Sequence, residues 1–464
     1  MWSSLRRARR PATLVAAVAL LASGCASSSS PSPAASTAPG ASTASSAPSE
    51  AATSAPSPSA SSGLASLTSV TLTVWYGANV PDAQKKLVDK FATATGATMN
   101  VIAIPDPLET NVLSKFAGGD RPDILYWHDQ HVQMETLDPA NNLQDLSSLD
   151  FVAKTPPNYL TGVTFSGVRG AVLRPPDVTG ILYNKDIFTK LGLTPPTNWA
   201  DVMTLCSGIK TADPSVAPMF IGVSAQFTTQ YVGLLTMAQV WKDDPQFFDN
   251  VNSNKGKWTD PKIVNALTAF EQIRDQKCLN KDFLTATFPQ ELQALVDGKA
   301  AMLPFDDSVI PLMIQNNSAD KVNATVGYAP VSLTSNVAGF GFGASEAVVA
   351  PKTGDATREA AAIEFINWAT SQDVYQSFIN DLGVPPALTG FDTPASVPLV
   401  VSQATTAATT NGTEWMYDLN ACSVGTWHID AGSVLAGKET AQQLAQYMQT
   451  QWEQSCKAKN QPGF

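Results

Sequence analysis

The chain has 464 residues, of which 44% are hydrophobic and 15% are charged, and its formal net charge is -11 at pH 7. A single hydrophobic core rarely grows to this length, so the sequence predicts at least two lobes. The acidic balance argues against nucleic acid and against an anionic membrane surface as partners, because the sequence has no basic patch to displace their counterions.

The first 25 residues have the pattern of a bacterial export signal. Four arginines between positions 6 and 10 precede an apolar run at residues 13–21, which is too short to span a bilayer stably. The run ends in Leu21-Ala22-Ser23-Gly24-Cys25, which resembles a lipobox, although Ala22 stands where that motif prefers leucine. The resemblance implies that residues 1–25 hold a lipoprotein signal peptide and that the Cys25 thiol takes a diacylglycerol. An ordinary secretory signal followed by a chance cysteine is the alternative.

Residues 26–67 consist mainly of Ser, Ala, Pro and Thr, with almost no charge and few large apolar side chains. Such a segment cannot offset its ordering entropy by burying apolar surface, so we expect a disordered tether. A lipid at one end of a flexible tether would hold the following domain at the outer face of the bacterial cytoplasmic membrane. We therefore expect an exported protein that meets the membrane only through its lipid anchor.

Four cysteines follow the signal: Cys206, Cys278, Cys422 and Cys456. An even number of cysteines in an exported chain predicts two disulfides, for which three connectivities are possible. We favour Cys206–Cys278 and Cys422–Cys456, because each pair would join helices that we expect to be neighbours in one lobe. The sequence has no Cys-x-x-Cys spacing, which argues against a redox or metal-binding role.

The first part of the globular region predicts alternating strands and helices. Apolar patterns predict strands at residues 70–76, 98–104 and 122–127, and helical spacing of apolar residues predicts helices at residues 82–96 and 109–116. This β-α-β-α-β order is typical of an α/β domain with a largely parallel sheet and helices on both faces.

An interrupted strand pattern at residues 170–190 predicts a crossing between lobes. Residues 171–173 and 178–183 predict two strands, and Arg174-Pro175-Pro176 separates them. Two successive prolines fix φ and lack backbone donors, so this passage is neither a helix nor a central strand. The charged side chains of Arg174 and Asp177 flank the crossing, where a cleft between lobes would lie.

After this crossing the chain continues with further helices and short strands. Helices are predicted at residues 199–211, 230–241, 260–277, 288–297, 358–371 and 431–452, and strands at residues 218–223 and 300–303. We expect residues 326–330 to cross back between the lobes. Residues 340–343 and 347–350 are then predicted to begin a strand in the first lobe.

Several segments together resemble extracellular solute-binding proteins of family 1, the maltose/oligosaccharide-binding type. They are GILYNKDIF at residues 180–188 with the Pro195-Pro196 and Asn198-Trp199 turn, PDILYW at 122–127, GKAAM at 298–302 and EAAAIEFINWATS at 359–371. The resemblance covers the chain after the tether. It implies a two-lobe periplasmic-binding-protein-like α/β fold of type II, in which each lobe has a mixed, mainly parallel sheet flanked by helices. Lobe 1 would comprise residues 68–174 with 331–384, and lobe 2 residues 175–330 with 385–464, joined by hinge crossings.

The resemblance also implies a ligand site between the lobes. A sugar presents apolar faces and a rim of hydroxyls, so its site needs aromatic platforms together with carboxylates, amides or arginines. Carried over position by position, the family's ligand-binding positions correspond here to Trp75, Asn79, Trp127, Asp129, Asp177, Phe305, Asp306 and Trp415. Burial in a core is the alternative for Trp75, Trp127 and Trp415.

Two positions depart from the family pattern. Leu173-Arg174 stands where many members carry Pro-Tyr, and Phe305 stands in a region where the family often has Trp. The Arg174 guanidinium would suit a ligand carboxylate or paired hydroxyls, or it would form an ion pair with Asp177. An acidic sugar or a non-sugar solute therefore remains an alternative ligand.

Enzymatic interpretations have weaker support. His128 and His131 form an H-x-x-H pair, but no acidic ligand follows at a metal spacing. The glycine-rich residues 339–343 lack the Lys-Ser/Thr of a phosphate loop. Asp306 and Asp307 are adjacent carboxylates, such as a glycosidase needs, but adjacent residues usually point in different directions.

Taken together, the sequence predicts a monomeric, lipid-anchored substrate-binding protein of an ABC importer that captures a mono- or oligosaccharide. Its partners would be the permease subunits and the ATPase, which are other chains, and it would need no cofactor and no metal. The alternatives are a binding protein for an acidic sugar or a non-sugar solute, an exported carbohydrate-active enzyme, and a binding protein that feeds a sensor kinase.

Overall fold

The computed structural model describes residues 64–342 and 347–464. The predicted signal peptide, Cys25 and most of the predicted tether lie outside these residues. Residues 64–67 were predicted as the end of the tether, but Leu64 and Leu67 pack against a hydrophobic core, and the Leu67 amide donates to the Thr95 carbonyl at 2.8 Å. The tether prediction is wrong for these four residues, because the two leucines supply the apolar surface that the preceding segment lacks.

The described residues form eleven strands, twenty α-helices and four short 3-10 helices. The strands are β1 (Thr71–Gly77), β2 (Thr98–Ile104), β3 (Ile124–Trp127), β4 (Ala171–Val172), β5 (Asp177–Asn184), β6 (Ala217–Met219), β7 (Ala300–Asp306), β8 (Val326–Ala329), β9 (Ala338–Gly341), β10 (Ala347–Val349) and β11 (Gly412–Glu414). The 3-10 helices are Thr161–Val163, Val223–Ala225, Phe227–Thr229 and Asp307–Val309.

The α-helices are α1 (Asp82–Thr95), α2 (Leu108–Ala117), α3 (His131–Glu135), α4 (Pro139–Asn142), α5 (Phe151–Lys154), α6 (Pro157–Leu160), α7 (Lys185–Leu191), α8 (Trp199–Ala212), α9 (Gln230–Asp243), α10 (Phe247–Asn252), α11 (Pro261–Asp275), α12 (Phe288–Val296), α13 (Ile310–Asn316), α14 (Ala319–Thr325), α15 (Ala356–Ala369), α16 (Gln372–Leu382), α17 (Leu399–Asn411), α18 (Met416–Leu419), α19 (Trp427–Leu435) and α20 (Ala441–Ala458). Within the described ranges, no helix combines the length and the apolar character that a membrane span requires.

Local sequence explains where several of these elements begin and end. α7 begins after Asn184, whose side-chain oxygen accepts a hydrogen bond from the Ile187 amide at 2.9 Å, and it ends at Gly192. Gly192 has a φ of 64°, a left-handed conformation that glycine adopts without strain. α20 begins with a capping box in which the side chains of Thr440 and Gln443 each bond the other's backbone.

The first lobe contains a five-stranded sheet in the order β2-β1-β3-β10-β4. β1 runs parallel to β2 and β3, while β10 runs antiparallel to β3 and β4. Helices α1 and α15 pack against each other and against this sheet, and the rings of Phe91 and Phe365 meet edge to face with centroids 5.2 Å apart. The predicted β-α-β-α-β unit is confirmed in this lobe.

The second lobe contains a six-stranded sheet in the order β11-β9-β5-β7-β6, with β8 paired to the far end of β5. β11 is parallel to β9 and β6 is parallel to β7, but β5 is antiparallel to each of its neighbours β7, β8 and β9. The α/β class is confirmed, and both sheets are mixed. Each sheet is also mainly parallel, as predicted, because only β10 in the first sheet and β5 in the second run against the direction of the other strands.

Two separate hydrophobic cores place the boundaries between the lobes. Core residues of the first lobe come from 70–173 and 342–388, and those of the second lobe come from 178–338 and 400–456. β8 and β9 both pair with β5, so residues 326–330 do not cross between lobes and residues 331–341 do not belong to lobe 1. The return crossing follows β9 instead. A further crossing lies between Phe391, which packs on the first core, and Val397, which packs on the second, so the predicted boundary at 384 is also too early.

Two smaller predictions also differ from the structure. The single helix predicted at residues 431–452 is two helices, α19 and α20, separated by a turn in which Gly437 has a φ of 72°. The strand predicted at residues 218–223 is the shorter β6, and a 3-10 helix begins at Val223.

Both disulfides have the favoured connectivity, which the structure confirms. The Cα atoms of Cys206 and Cys278 are 5.5 Å apart, and those of Cys422 and Cys456 are 5.3 Å apart. The first bond ties α8 to the segment after α11, and the second ties the segment after α18 to α20. All four cysteines belong to the second core, so the first lobe is held together by packing and hydrogen bonds.

Candidate functional site

The strands of the first sheet end at one common edge, which carries polar side chains. Because β1, β2 and β3 are parallel, Asn79, Asp106 and Asp129, each two residues beyond its strand, lie at the same edge. β10 is antiparallel to both β3 and β4, so β4 ends there too, two residues before Arg174. Ligands of open α/β sheets bind beyond the carboxyl ends of such strands.

The second sheet offers a matching edge at the beginning of β5. Asp177 is the first residue of β5, and the antiparallel strands β9 and β7 end beside it, at Gly341 and Asp306. β11 is parallel to β9, so Trp415 and Asp418, which follow β11, lie at the same edge. A set of acidic side chains from distant parts of the sequence therefore meets at this edge.

A buried ion pair lies at the crossing between the two sheets. The Arg174 guanidinium donates from Nη2 to Oδ1 of Asp177 at 2.8 Å, and both side chains are 7% exposed. The two intervening prolines fix the backbone between the partners. The structure thus shows the ion pair that the sequence offered as one of two roles for Arg174.

Asp129, at the edge of the first sheet, is affected electrostatically by carboxyl groups of the second lobe. Its side chain is buried, and neither carboxylate oxygen has a hydrogen-bond partner among the other described residues. Burial raises the pKa of Asp129 well above its usual value, and the negative charges of Asp418 and Asp177 raise it further. Carboxyl groups of the second lobe thus act on a buried carboxyl group of the first.

Other bonds also join the lobes around this edge. Lys459 of the second lobe forms an ion pair with Glu135 of the first. The Asp82 amide donates to Oε1 of Gln315 at 3.0 Å.

Five carboxyl groups form what we call the acidic cluster: Asp129, Asp177, Asp306, Asp307 and Asp418. Burial raises the pKa of Asp306 to about 7, and the charge of Asp177 contributes to this shift. Burial likewise raises the pKa of Asp307 and of Asp418 well above the usual range. Carboxyl groups with such pKa values are typical of functional sites, because a chain selected only for stability would not bury them.

Neutral donors hold part of this cluster in place. Oδ1 of Asp306 accepts from the Ser308 hydroxyl at 2.5 Å and from the Ser308 amide at 3.1 Å, and Oδ1 of Asp307 accepts from the Val178 amide at 2.8 Å. Oδ2 of Asp306 and Oδ2 of Asp418 are buried without a hydrogen-bond partner among the described residues. Both carboxyl groups, like that of Asp129, therefore keep an acceptor oxygen that could accept a further hydrogen bond.

Aromatic side chains surround the second-lobe part of the cluster. The ring centroid of Phe305 lies 3.9 Å from that of Tyr231 and 5.6 Å from that of Phe288. A hydrogen bond from the Tyr231 side chain lowers the pKa of Asp306. Phe305 itself is 1% exposed and belongs to the second core. It therefore supports Tyr231 and contributes no exposed face.

Trp415 lies flat on β9 because that strand carries glycines beneath it. A Cβ atom at Gly341 would be 2.7 Å from the Trp415 ring and 2.5 Å from Oδ2 of Asp418, and one at Gly339 would be 3.2 Å from the indole nitrogen. The glycine-rich segment, which lacks the residues of a phosphate loop, thus makes room for Trp415 and Asp418. The indole is 2% exposed and its nitrogen is buried without a partner among the described residues.

The remaining predicted aromatic positions lie in the first core. Trp75 is 1% exposed and meets Phe116 edge to face at 6.2 Å, and Trp127 is fully buried and donates to the Gln133 carbonyl at 3.2 Å. The structure favours the core interpretation for both. Asn79 is exposed at the edge and donates to Asp106 at 3.1 Å, which is compatible with a place at the rim of a site.

The two histidines of the H-x-x-H pair have separate environments. His128 is buried and its Nε2 lies 3.0 Å from Oε1 of Glu109, while the His131 ring stacks on Phe165 with centroids 4.4 Å apart. In residues 64–342 and 347–464, no three His, Cys, Asp or Glu side chains are grouped so that they could hold a metal ion.

Sequence reasoning missed Asp418 and gave Asp307 only a catalytic interpretation. Asp418 follows a three-residue strand whose sequence, Gly-Thr-Glu, has no strand pattern. Asp307 lies directly after β7, and its adjacency to Asp306 was the available signal. Tyr231, the second residue of α9, could be either a cleft or a core residue from its sequence, and the structure places its ring on Phe305 beside Asp306.

Comparisons with known proteins identify relatives of this arrangement. Residues 86–427 match a family described as bacterial extracellular solute-binding protein. The multiple sugar-binding protein of Streptococcus mutans is 21% identical over 306 residues, which cover 65% of this chain and 70% of that protein.

Solved structures show the same fold. A chitin oligosaccharide binding protein has a TM-score of 0.71 and 18% identity, and the match covers 83% of this chain and 99% of that one. A sugar transporter of Bacillus licheniformis in complex with stachyose has a TM-score of 0.65 and 19% identity, and the match covers 83% of this chain and 100% of that one. The two-lobe fold and the resemblance found in the sequence are confirmed. Because the family match extends over most of its length, the chain belongs to the bacterial extracellular solute-binding proteins.

Proposed function

We propose that this protein captures a carbohydrate between its two lobes and delivers it to the permease of an ABC importer. The observation that carries the proposal is the acidic cluster, in which both lobes contribute buried acceptor oxygens that have no partner among the described residues. Sugar hydroxyls are donors that would complete these bonds. The sugar-binding names of the relatives support the same ligand class.

The geometry suits capture by lobe closure. Asp129 belongs to one lobe and Asp306 and Asp418 belong to the other, so a ligand that bonds both sides is held only when the lobes are together. Such a ligand shifts the population toward the closed form by its differential affinity for that form. The permease would then recognise the closed form, and its ATPase would power transport. No covalent step is part of this proposal.

Among the residues carried over from the family, those at the cluster are the ones we propose to bind ligand. Asp129, Asp177 and Asp306 would accept from hydroxyls, Arg174 would keep Asp177 oriented, and Trp415, which belongs to the second core, would support Asp418 from behind. Asn79 would act at the rim. Trp75, Trp127 and Phe305 would act indirectly, by supporting the walls from within the two cores.

We further propose that the protein is exported and anchored through a lipid on Cys25. The basis is the lipobox-like segment followed by a Ser/Ala/Pro-rich stretch. A Cys25→Ser variant should appear in the soluble extracellular fraction and should lose incorporation of a labelled fatty acid. Persistence of the variant in the membrane fraction would contradict lipid anchoring.

Ligand binding is best tested by thermal shift and calorimetry on the full chain with a panel of mono- and oligosaccharides. A ligand that binds only the folded state stabilises it by about 2.7 kcal/mol when its free concentration is roughly 100 times Kd. We expect a saturable shift with one class of saccharide, its loss in Asp129→Asn and Asp418→Asn, and recovery of the saccharide intact. Cleaved product would indicate an enzyme, and no shift with any saccharide would refute carbohydrate capture.

A further inference from the structure

One ion pair away from the crossing joins the two lobes. Lys459 of the second lobe pairs with Glu135 of the first. The other ion pairs between described residues lie within one lobe or, for Arg174 and Asp177, at the crossing itself. The pair of Lys459 with Glu135 therefore forms only when the lobes are together, and neither residue belongs to the acidic cluster.

The lysine of this pair is held in place by its own lobe. Lys459 directly follows α20, and its Nζ also donates to the carbonyl oxygen of Ala421 at 3.1 Å. Ala421 precedes Cys422, whose disulfide to Cys456 ties this segment to the end of α20. An ordered lysine has less rotamer freedom to lose when it pairs with Glu135, which reduces the cost that weakens many ion pairs at protein surfaces.

The glutamate of this pair lies close to the proposed ligand site. Glu135 is the last residue of α3, and α3 begins two residues after Asp129. α3 packs against α18, the short helix of the second lobe that contains Asp418. Formation of the ion pair and contact of a ligand with both Asp129 and Asp418 therefore depend on the same approach of α3 to α18.

We propose that Glu135 and Lys459 are positioning residues, which stabilise the closed arrangement of the lobes and so raise the affinity for ligand without touching it. This inference rests on the proposed function, because closure affects binding only if a ligand is captured between the lobes. The apparent Kd is the intrinsic Kd divided by the fraction of protein in the binding-competent form. An ion pair that increases this fraction therefore lowers the apparent Kd by the same factor.

The exposure of the pair sets the size of the effect. The side chains of Lys459 and Glu135 are 25% and 40% exposed, so water and salt screen their attraction. Ion pairs of this kind change an equilibrium by about two- to fivefold. Screening also makes the effect depend on ionic strength, because the Debye length falls from about 10 Å at 0.1 M salt to about 3 Å at 1 M. A saccharide without charge should therefore bind more weakly as the salt concentration rises.

The test measures closure without a ligand. Asp82 of the first lobe and Gln315 of the second form another contact between the lobes, with the Asp82 amide nitrogen 3.0 Å from Oε1 of Gln315. Asp82→Cys and Gln315→Cys are introduced together into the full chain and treated with a short bismaleimide, and mass spectrometry follows the cross-link. The two thiols come within reach of the reagent when the lobes are together, so the rate of cross-linking follows the closed population. Native disulfides do not react with maleimide.

Neutral variants of the ion pair are compared in this background. Lys459→Gln and Glu135→Gln should each lower the rate of cross-linking about two- to fivefold at low salt, and the double variant should lower it no further. Salt at about 1 M should lower the rate of the parent to that of the variants. The matched control is Lys257→Gln, which breaks an ion pair with Glu453 inside the second lobe and should leave the rate unchanged.

Calorimetry with the panel of mono- and oligosaccharides links closure to binding. A saccharide that binds the parent should bind Lys459→Gln and Glu135→Gln about two- to fivefold more weakly at low salt, while Lys257→Gln binds it normally. Unchanged cross-linking in both single variants, or equal affinity of parent and variants, would overturn this inference and leave carbohydrate capture intact. A panel in which no saccharide binds the parent would overturn the proposed function and the effect on affinity together, whatever the rates of cross-linking.

Discussion

Replacement of Asp306 by asparagine should stabilise the protein at alkaline pH and leave its stability almost unchanged at acidic pH. The pKa of Asp306 is about 7 in the folded protein and 3.8 is its ordinary value. Because the folded pKa is the higher one, the folded state binds more protons than the unfolded state between these values, and stability falls as pH rises through this window. The difference corresponds to about 4 kcal/mol above pH 7.

The asparagine variant can keep the local hydrogen bonds. Its carbonyl oxygen replaces Oδ1, which accepts from both donors of Ser308, and its amide nitrogen occupies the place of Oδ2, which has no partner among the described residues. We therefore expect the free energies of unfolding of variant and parent, measured in urea, to coincide near pH 4 and to differ by up to about 4 kcal/mol at pH 8.

The same variant should bind ligand more weakly, since it loses an acceptor at the cleft. Asp150→Asn, at an exposed position, should show no pH-dependent gain and no loss of binding. A stability difference between the Asp306 variant and the parent that is equal at pH 4 and pH 8 would refute the burial of a titrating carboxyl group at this position.

Three further changes test other parts of the structure. Gly341→Ala should lower ligand affinity at least about tenfold in calorimetry, because its Cβ would meet an indole and a carboxylate at 2.7 and 2.5 Å, whereas Gly208→Ala, with open space around its Cβ, should bind normally. Gly162→Ala should disrupt the segment that follows β3, since its Cβ would lie 1.5 Å from the carbonyl oxygen of Asp129. A variant that still folds and binds ligand would contradict this close packing of Gly162 on Asp129. Replacing Cys206 and Cys278 by alanine should cost about 4 kcal/mol in denaturant unfolding, given the 72-residue separation, and an unchanged midpoint would show that the bond does not form.

The local elements could be predicted because their signals lie within a few residues. α1 has apolar residues at helical spacing and ends at Gly96, which has a φ of 77°, and β1 is a run of β-branched and aromatic residues. The crossing at Arg174 was predicted because two prolines can form neither helix nor central strand. The disulfide pairing followed from the expected adjacency of helices, and the structure confirms it.

The placement of β9 could not be predicted, because strand pairing is a long-range property. Its sequence, Ala-Gly-Phe-Gly, suits either sheet, and its partner β5 lies about 160 residues earlier in the chain. The glycines of β9 leave room for the side chain of Trp415, which comes about 75 residues later in the chain. The position of Asp418 could not be predicted for the same reason, since only the long-range pairing of β11 with β9 brings it to this edge of the sheet.

The acidic cluster lowers the stability of the fold, which suggests that these residues are kept for ligand binding. Each buried carboxyl group raises the free energy of the folded state near neutral pH, and a chain of this size could replace it with an amide at little steric cost. Positions where the local rules for stability are broken without a compensating contact inside the protein are those where a ligand is expected to supply the missing contact. The cluster satisfies this condition, because its free acceptors are buried, come from both lobes and meet where the strands of both sheets end. Ligand binding and closure would then be coupled, since a ligand could bond Asp129 of one lobe and Asp306 or Asp418 of the other only when both lobes surround it.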